Sequence, residues 1–266
     1  MSKKLFLFIS IVSLITGCRI DDESSSFWSS ILVDSEYRPF VFVFSNTNLP
    51  ICANHAQPKL EAIIDNKIDS IDGDFINGVM MYPTLTDNHY SNIAEEIKFL
   101  FDNNGNQTLI TTPAFFSNMK CHNIDTLELL ESISLQRLET PGINLGIKST
   151  VSDDNLKVYV KGEYKKNFTS SSHSLAVYSY KKSELGNQAT ENGTEIFTLR
   201  NKVFSSLTPS MGKSLNSAAI GTELRELLTL DLSGETLSNI GIIAVIYELE
   251  DGKPISVVNS IKLENN

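Results

Sequence analysis

The sequence predicts an α/β domain over residues 35–139, followed by a mainly antiparallel β-sandwich domain over residues 140–266. In the first part, strand-like and helix-like apolar patterns alternate along the chain. In the second part, short β-type segments follow one another between turn signals, which is typical of an antiparallel sandwich. The chain has 266 residues, of which 41% are hydrophobic and 20% charged, and this composition is typical of packed globular proteins.

The α/β part begins with a strand at residues 40–44, which read Phe-Val-Phe-Val-Phe and are expected to be buried on both faces of a sheet. A turn cluster ends at Pro50, and residues 53–64 then show the apolar spacing of a helix. A second strand is predicted at residues 75–82 and a second helix at residues 93–101.

The same part closes with a hairpin and a helix. Residues 108–116 lead into a turn at Ser117 and Asn118, and residues 119–124 supply the partner strand. A last helix starts at Asp125. The predicted order of elements is therefore β-α-β-α-β-β-α.

The second part contains seven predicted β segments with turn signals between them. They span residues 143–151, 156–164, 174–180, 194–204, 223–232, 239–248 and 255–263. The dipeptide Asp251-Gly252 is the clearest hairpin turn.

The N-terminal segment predicts export and lipid attachment. Lys3 and Lys4 precede an apolar run over residues 5–15, which is too short to span a bilayer as a helix. Small residues then lead into Cys18. This pattern is typical of a bacterial lipoprotein signal peptide over residues 1–17, with Cys18 as the lipidated residue that carries acyl chains such as palmitate. An ordinary cleaved signal followed by a chance cysteine is the alternative.

Residues 18–34 are expected to form a flexible, lipidated tether, because they begin with a polar, Ser-rich stretch. Arg19 argues against retention in the inner membrane. The acidic residues 21–23 resemble a signal that sends some lipoproteins to the cell surface, and a solvated linker explains them equally well. We therefore expect a cell-envelope protein anchored to the outer membrane, with surface display and periplasmic display both open.

The charge and motif content exclude several classes of function. A formal net charge of −10 argues against a nucleic-acid partner, which requires clustered Lys and Arg. The sequence contains no Gly-rich phosphate loop and no His-Glu-x-x-His motif. No cofactor and no metal are expected.

The α/β part resembles a thioredoxin-like domain at two places. Cys52 lies where a strand gives way to a helix, so a thiolate there faces the positive end of the helix dipole, which favours a lowered pKa. Residues 112–118 resemble the thioredoxin segment in which a cis-proline, here Pro113, lies opposite the active cysteine and opens a hairpin. The resemblance implies a catalytic role for Cys52 and Pro113.

The motif at residues 52–55 departs from the thioredoxin pattern, since it reads Cys-Ala-Asn-His and has His55 in place of the resolving cysteine. A dithiol–disulfide cycle within this motif is therefore impossible. Cys52 could act as a monothiol with His55 as an acid–base partner, or the motif could be an inactive relic that packs as structure. The relic is the interpretation we favour.

The two parts together are similar to the outer-membrane protein 28-related lipoproteins. Residues 199–204 with the later Gly212, and residues 240–248 followed by residues 257–260, look like that family's C-terminal segment. The resemblance covers roughly the whole mature chain. It implies a lipidated envelope protein described as an adhesin or receptor, without settled chemistry. His55 again departs from the family's usual second cysteine.

Two further interpretations of the cysteines stay open at this point. Cys52 and Cys121 could form a structural disulfide if their Cα atoms lie within about 7 Å. Cys52 and His55, together with Cys121 and His122, could instead hold copper or zinc. The favoured function is a non-enzymatic, adhesin-like binding protein with an unidentified protein or envelope partner. The alternative is a thiol-disulfide oxidoreductase or isomerase that works as a monothiol through Cys52.

Overall fold

The computed structural model of the chain describes residues 25–65, 75–102, 110–122 and 126–263. The predicted signal peptide, Cys18 and residues 19–24 of the predicted tether lie outside the described residues. The short helix α1 (Ser25–Ser29) belongs to one unit, which ends at Leu32, and the chain from Val33 onward forms a second compact unit. Within the described ranges, no helix has the length and apolar character needed to cross a membrane.

As far as the chain is described, the second unit contains three longer helices and the strands of two sheets. The helices are α2 (Pro50–Ile64), α3 (Asn92–Asp102) and α4 (Thr126–Arg137). The strands are β1 (Phe40–Phe44), β2 (Asn77–Met81), β3 (Ala114–Ser117), β4 (Lys120–His122), β5 (Ile143–Ser152), β6 (Asn155–Tyr164), β7 (His173–Thr190), β8 (Gly193–Ser206), β9 (Lys213–Ser214), β10 (Glu223–Asp231), β11 (Ile240–Glu250) and β12 (Lys253–Leu263). A 3-10 turn at Leu237–Asn239 precedes β11.

The larger sheet joins strands from both predicted parts, in the order β12-β11-β7-β8-β2-β1-β3-β4, with β9 paired to β7. Its junction is the parallel pairing of β2 with β8 through Met80 and Lys202. The smaller sheet has the order β10-β6-β5 and is antiparallel throughout.

The predicted fold class, an α/β thioredoxin-like domain followed by an antiparallel β-sandwich, is therefore wrong. The chain is mostly β, its helix content is low, and its strands form two sheets, of which the larger is mixed. The physical reason is that β2 pairs with β8, a strand from the second part. Without this partner, β2 would be an edge strand with exposed backbone donors and acceptors. The division between residues 139 and 140 stays a prediction.

Alternation along β1 explains how the larger sheet is buried on both sides. Successive side chains of a strand point to opposite faces. Phe40, Phe42 and Phe44 accordingly belong to an apolar cluster with α3, whereas Val41 and Val43 belong to a cluster with α2 and α4. Each fully buried Phe or Val contributes about 1.5–3 kcal/mol relative to an exposed one.

Aromatic rings make up the centre of the cluster on the α3 side. The rings of Phe42 and Phe116 stack with centroids 4.7 Å apart, and Phe101 from α3 lies 4.6 Å from Phe116. A third cluster includes residues from both sheets, such as Val158 and Ile242. Together these clusters account for the burial of the larger sheet against its helices and against the smaller sheet.

Candidate functional site

Cys52 lies in the first turn of α2, where the sequence places it. The helix begins at Pro50 after the N-cap residue Leu49, whose side chain makes no capping hydrogen bond. The Cys52 amide donates to the Leu49 carbonyl at 3.0 Å. The Cys52 side chain is only 1% exposed and belongs to the apolar cluster on the α2 side of the sheet. The thiol therefore has almost no access to solvent.

The surroundings of the thiol keep it protonated near neutral pH. Burial raises the pKa of Cys52, and the Asp87 carboxylate raises it further. Hydrogen bonds from the Asn46 backbone and from the Ser45 and Thr112 side chains lower the pKa, but their effect is smaller. Burial thus acts against the lowering that the helix dipole predicts for this pKa.

The other two predicted catalytic residues, Pro113 and His55, differ in whether they lie next to the Cys52 thiol. The Thr112–Pro113 peptide bond is cis, and its Thr112 side chain is a hydrogen-bond partner of Cys52. Pro113 therefore lies close to the cysteine. His55 is half-buried and is not among the groups that shift the pKa of Cys52. Across the described part of the chain, no hydrogen bond or ion pair joins His55 to the thiol.

The hairpin of β7 and β8 covers the entrance to α2. The buried side chain of Gln188 donates to the Thr47 and Leu49 carbonyls, both at 3.1 Å, and the Ala189 amide donates to Thr47 at 2.7 Å. On the helix itself, Gln57 donates to the Thr198 carbonyl of the same hairpin. This hairpin cover, residues 181–200, is tied to the chain on both sides of Cys52.

A buried carboxylate fixes the segment that leads into α2. Asp87 accepts hydrogen bonds from the Thr47 amide at 2.6 Å and the Thr47 hydroxyl at 2.7 Å. It also accepts one from the His89 amide at 2.8 Å. Three donors satisfy the buried carboxylate, so Asp87 holds Thr47 in position beneath the hairpin cover.

A charged cluster joins the hairpin cover to the loop after β2. The buried Lys202 ammonium forms an ion pair with Glu184 and lies 3.3 Å from His89 Nδ1. Burial and the neighbouring Lys202 lower the pKa of His89. Lys181 pairs with Glu184 at 3.6 Å and with Glu235 at 3.0 Å. Apart from Glu235, which lies between β10 and β11, these residues belong to the β7–β8 hairpin and the loop after β2, and the sequence carries no pattern that predicts their contacts.

The structure does not bring Cys52 and Cys121 together. Cys121 pairs in register with Phe116 and packs against the cluster on the α3 side, whereas Cys52 lies in the cluster on the opposite face of the sheet. Both cysteines are free, and burial raises the pKa of Cys121. The disulfide interpretation is therefore wrong. Over the described ranges, no three His, Cys, Asp or Glu residues lie close enough to hold a metal ion.

These features define a mostly β protein whose large mixed sheet carries a cis-proline loop and packs against a helix in which a buried cysteine begins a Cys-x-x-His motif. Its fold is similar to that of HBP35 of Porphyromonas gingivalis, with a TM-score of 0.68 and 14% identity, over 87% of this chain and 76% of that chain. It is also similar to a protein from Agrobacterium tumefaciens, with a TM-score of 0.57 and 12% identity, over 88% of this chain and 96% of that chain. At these identities the similarity concerns the fold alone.

The structural neighbours also include a domain of the outer membrane lipoprotein Omp28 from Porphyromonas gingivalis. That match has 17% identity over 47% of this chain and 89% of the domain, with a TM-score of 0.31, which is too low to support an argument. No protein-family model matches the chain, and no curated protein matches it in sequence.

Proposed function

We propose that this chain is a lipid-anchored protein of the bacterial envelope that binds a partner and has no thiol chemistry of its own. The observation that carries the proposal is the burial of Cys52 beneath the hairpin cover. In this proposal the chain is a divergent relative of the outer-membrane protein 28-related lipoproteins, and the Cys-x-x-His motif serves as packing.

Thiol-disulfide exchange requires a thiolate and access for a second sulfur. Cys52 lacks both, since it is 1% exposed and its pKa is raised by burial. His55 replaces the resolving cysteine, so a mixed disulfide could not be released within the motif. Gln188 and Ala189 are hydrogen-bonded to Thr47, in the segment that leads into the helix. These observations support a structural role for Cys52.

Alkylation of Cys52 as a function of pH tests this proposal. The experiment uses the full chain with the substitutions Cys18→Ser and Cys121→Ser, so that Cys52 is the one remaining thiol. We expect slow labelling in the folded protein and rapid labelling once the same chain is unfolded in guanidinium. Rapid labelling of the folded chain with an apparent pKa near 6 would instead support the monothiol oxidoreductase, with Cys52 and Pro113 at its site.

The anchor rests on the sequence pattern that ends at Cys18. Metabolic labelling with a palmitate analogue in a bacterial host should mark the wild-type chain, and Cys18→Ala should abolish both the label and recovery in the outer-membrane fraction. Cys121→Ala is the matched control and should leave both unchanged. Equal labelling of the Cys18→Ala chain would contradict the anchor. If the label depends on Cys18, protease treatment of intact cells would distinguish surface display from periplasmic display.

A further inference from the structure

A cavity of about 220 Å³ opens where β2 and β8 meet the end of α2. The two strands pair through Met80 and Lys202, and the cavity lies beyond this pair, beside Gly78. The volume corresponds to roughly seven water molecules at ~30 Å³ each. The cavity is therefore large enough for a small organic molecule but too small for a peptide segment.

Three cationic side chains line this cavity and come from three different strands. They are Lys182 on β7, Arg200 on β8 and Lys262 on β12, and we call this group with its cavity the cationic pit. Among the described residues, the Asp65 carboxylate also lines it, and Glu61 lies 3.9 Å from Arg200. The described side chains at the pit thus carry three positive and two negative charges, on a chain whose formal net charge is −10.

The wall of the cationic pit is held in place by specific contacts. Arg200 makes two bonds to Asp65, from Nη1 to Oδ2 at 2.5 Å and from Nη2 to Oδ1 at 3.4 Å. Asn201 has a φ of 52°, in the left-handed region, and its side-chain amide donates to the Gly78 carbonyl at 3.2 Å. The irregular backbone at Asn201 is therefore fixed across the gap between the strands, and Arg200 has a defined position.

Apolar side chains complete the cationic pit. Ile64, Ile76 and Ile243 line it together with Tyr180, which is itself buried. A low-dielectric wall strengthens the attraction between the cations and an anion, because fewer water molecules screen the charges. The combination of cations with an apolar wall is suited to a small organic anion rather than to a bare chloride ion.

We propose that the cationic pit binds a small molecule that carries an oxyanion group, either a carboxylate or a phosphate. Lys182 and Lys262 supply the charge-assisted hydrogen bonds, and Arg200, oriented by Asp65, supplies its remaining N–H groups. This binding site is separate from Cys52, and the proposal does not depend on whether the cysteine is reactive.

Isothermal titration of the full chain with inorganic phosphate and with malonate tests the proposal. The two anions are compared at one ionic strength, and the titrations are then repeated with added sodium chloride. We expect at least one of the two anions to bind, and its affinity to fall as sodium chloride is raised. The anion that binds identifies the class, phosphate or carboxylate. Failure of both to bind the wild-type chain would overturn the proposal.

Variants of the pit give effects of opposite sign. Lys182→Gln combined with Lys262→Gln should weaken binding at least tenfold, since each charge-assisted hydrogen bond is stronger than a neutral one. Asp65→Asn should strengthen binding several-fold, because it removes the negative charge that lines the pit and loosens the hold on Arg200, which keeps Glu61 at 3.9 Å. Lys253→Gln, an exposed lysine at the start of the same strand as Lys262, is the matched control and should bind as wild type does.

Thermal unfolding of each variant shows whether it is folded. A gain of affinity in Asp65→Asn cannot arise from misfolding, so this variant keeps the proposal testable even if the double lysine variant is unstable. Equal affinity in wild type, the double lysine variant and Asp65→Asn would show that the anion binds elsewhere and would overturn the proposal.

Discussion

Gln188→Ala should expose Cys52 without unfolding the protein. The buried Gln188 amide donates to the carbonyls of Thr47 and Leu49, both at 3.1 Å, with a longer contact to the Ala189 carbonyl at 3.3 Å, and this substitution removes all three. An amide group has two N–H bonds, so the three contacts amount to two hydrogen bonds. The two nearer carbonyls each keep another donor, the Ala189 amide for Thr47 and the Cys52 amide for Leu49. The cost is therefore that of two net hydrogen bonds, about 2 kcal/mol, and not the larger cost of orphaned carbonyls.

If labelling of Cys52 occurs through local opening of the hairpin cover, this cost appears as a change in the population of the open form. A change of ~2 kcal/mol corresponds to a roughly 30-fold faster alkylation rate. The assay is alkylation followed by mass spectrometry, in the chain with Cys18→Ser and Cys121→Ser. The free energy of global unfolding, measured by urea titration of the same variants, separates local opening from unfolding of the whole unit.

Asn54→Ala is the matched control. Asn54 also links α2 to the hairpin, but its bond to Glu191 is 3.5 Å long and exposed, so we expect no more than about a twofold change in rate. An unchanged labelling rate in Gln188→Ala would refute the reasoning, since the hairpin would then not be what protects the thiol. A wild-type rate equal to that of the unfolded chain would refute it as well.

Three further predictions concern the stability of the fold. His173 is fully buried, and burial lowers its pKa from 6.5 to about 4, so the unfolded chain takes up a proton first as the pH falls. Its contribution to stability should be complete above about pH 6.5 and decrease toward pH 4 by at most about 3 kcal/mol. Urea unfolding across this range should show a weaker pH dependence in His173→Gln than in wild type, with a remainder because burial also lowers the pKa of His89 and of His122. Phe42→Ala should lower the free energy of unfolding by about 3–5 kcal/mol, whereas Phe99→Ala, at a side chain that is 64% exposed, should change it by less than about 1 kcal/mol; similar losses for both would contradict the assigned core. Gly186→Ala should cost about 1–3 kcal/mol in the same assay, because a Cβ at this position would collide with the His89 ring, and a neutral result would mean that the ring moves freely.

The individual strands and helices could be predicted from the sequence because their signals are local. The alternation of Phe and Val over residues 40–44 predicts a strand buried on both faces, and the structure shows apolar clusters on each face of β1. All seven segments predicted in the second part contain strands, although β7 and β8 are longer than expected. The extension over residues 181–190 is polar and charged, so no alternation of apolar residues marks it as a strand.

The arrangement of the candidate site could not be predicted, because it depends on pairings between distant segments. The helix dipole at Cys52 predicts a lowered pKa, but the thiol is buried in a cluster that includes Phe115 and Leu199, which lie far beyond it in the chain. The prediction of two separate domain folds fails for the same reason, since the pairing of Met80 with Lys202 leaves no trace in either local pattern. In the sequence alone, Lys182 is an ordinary charged residue at the end of a predicted strand. The pairing of the strands brings it to the same cavity as Arg200.

The shared sheet also sets the order in which this protein can complete its fold. A chain is made from its N-terminus, so β1 and β2 exist before β8 does, and until Lys202 is available the outer edge of β2 has no partner. The closing contact between Asn77 and Ser260 is more distant still, since its second residue lies in the last strand. Long-range pairings of this kind make folding slow, and until they form, an unpaired strand edge is exposed that can pair with other chains. The sheet around β2 must therefore remain incomplete, and protected from other chains, until the chain has been made as far as Ser260 in β12.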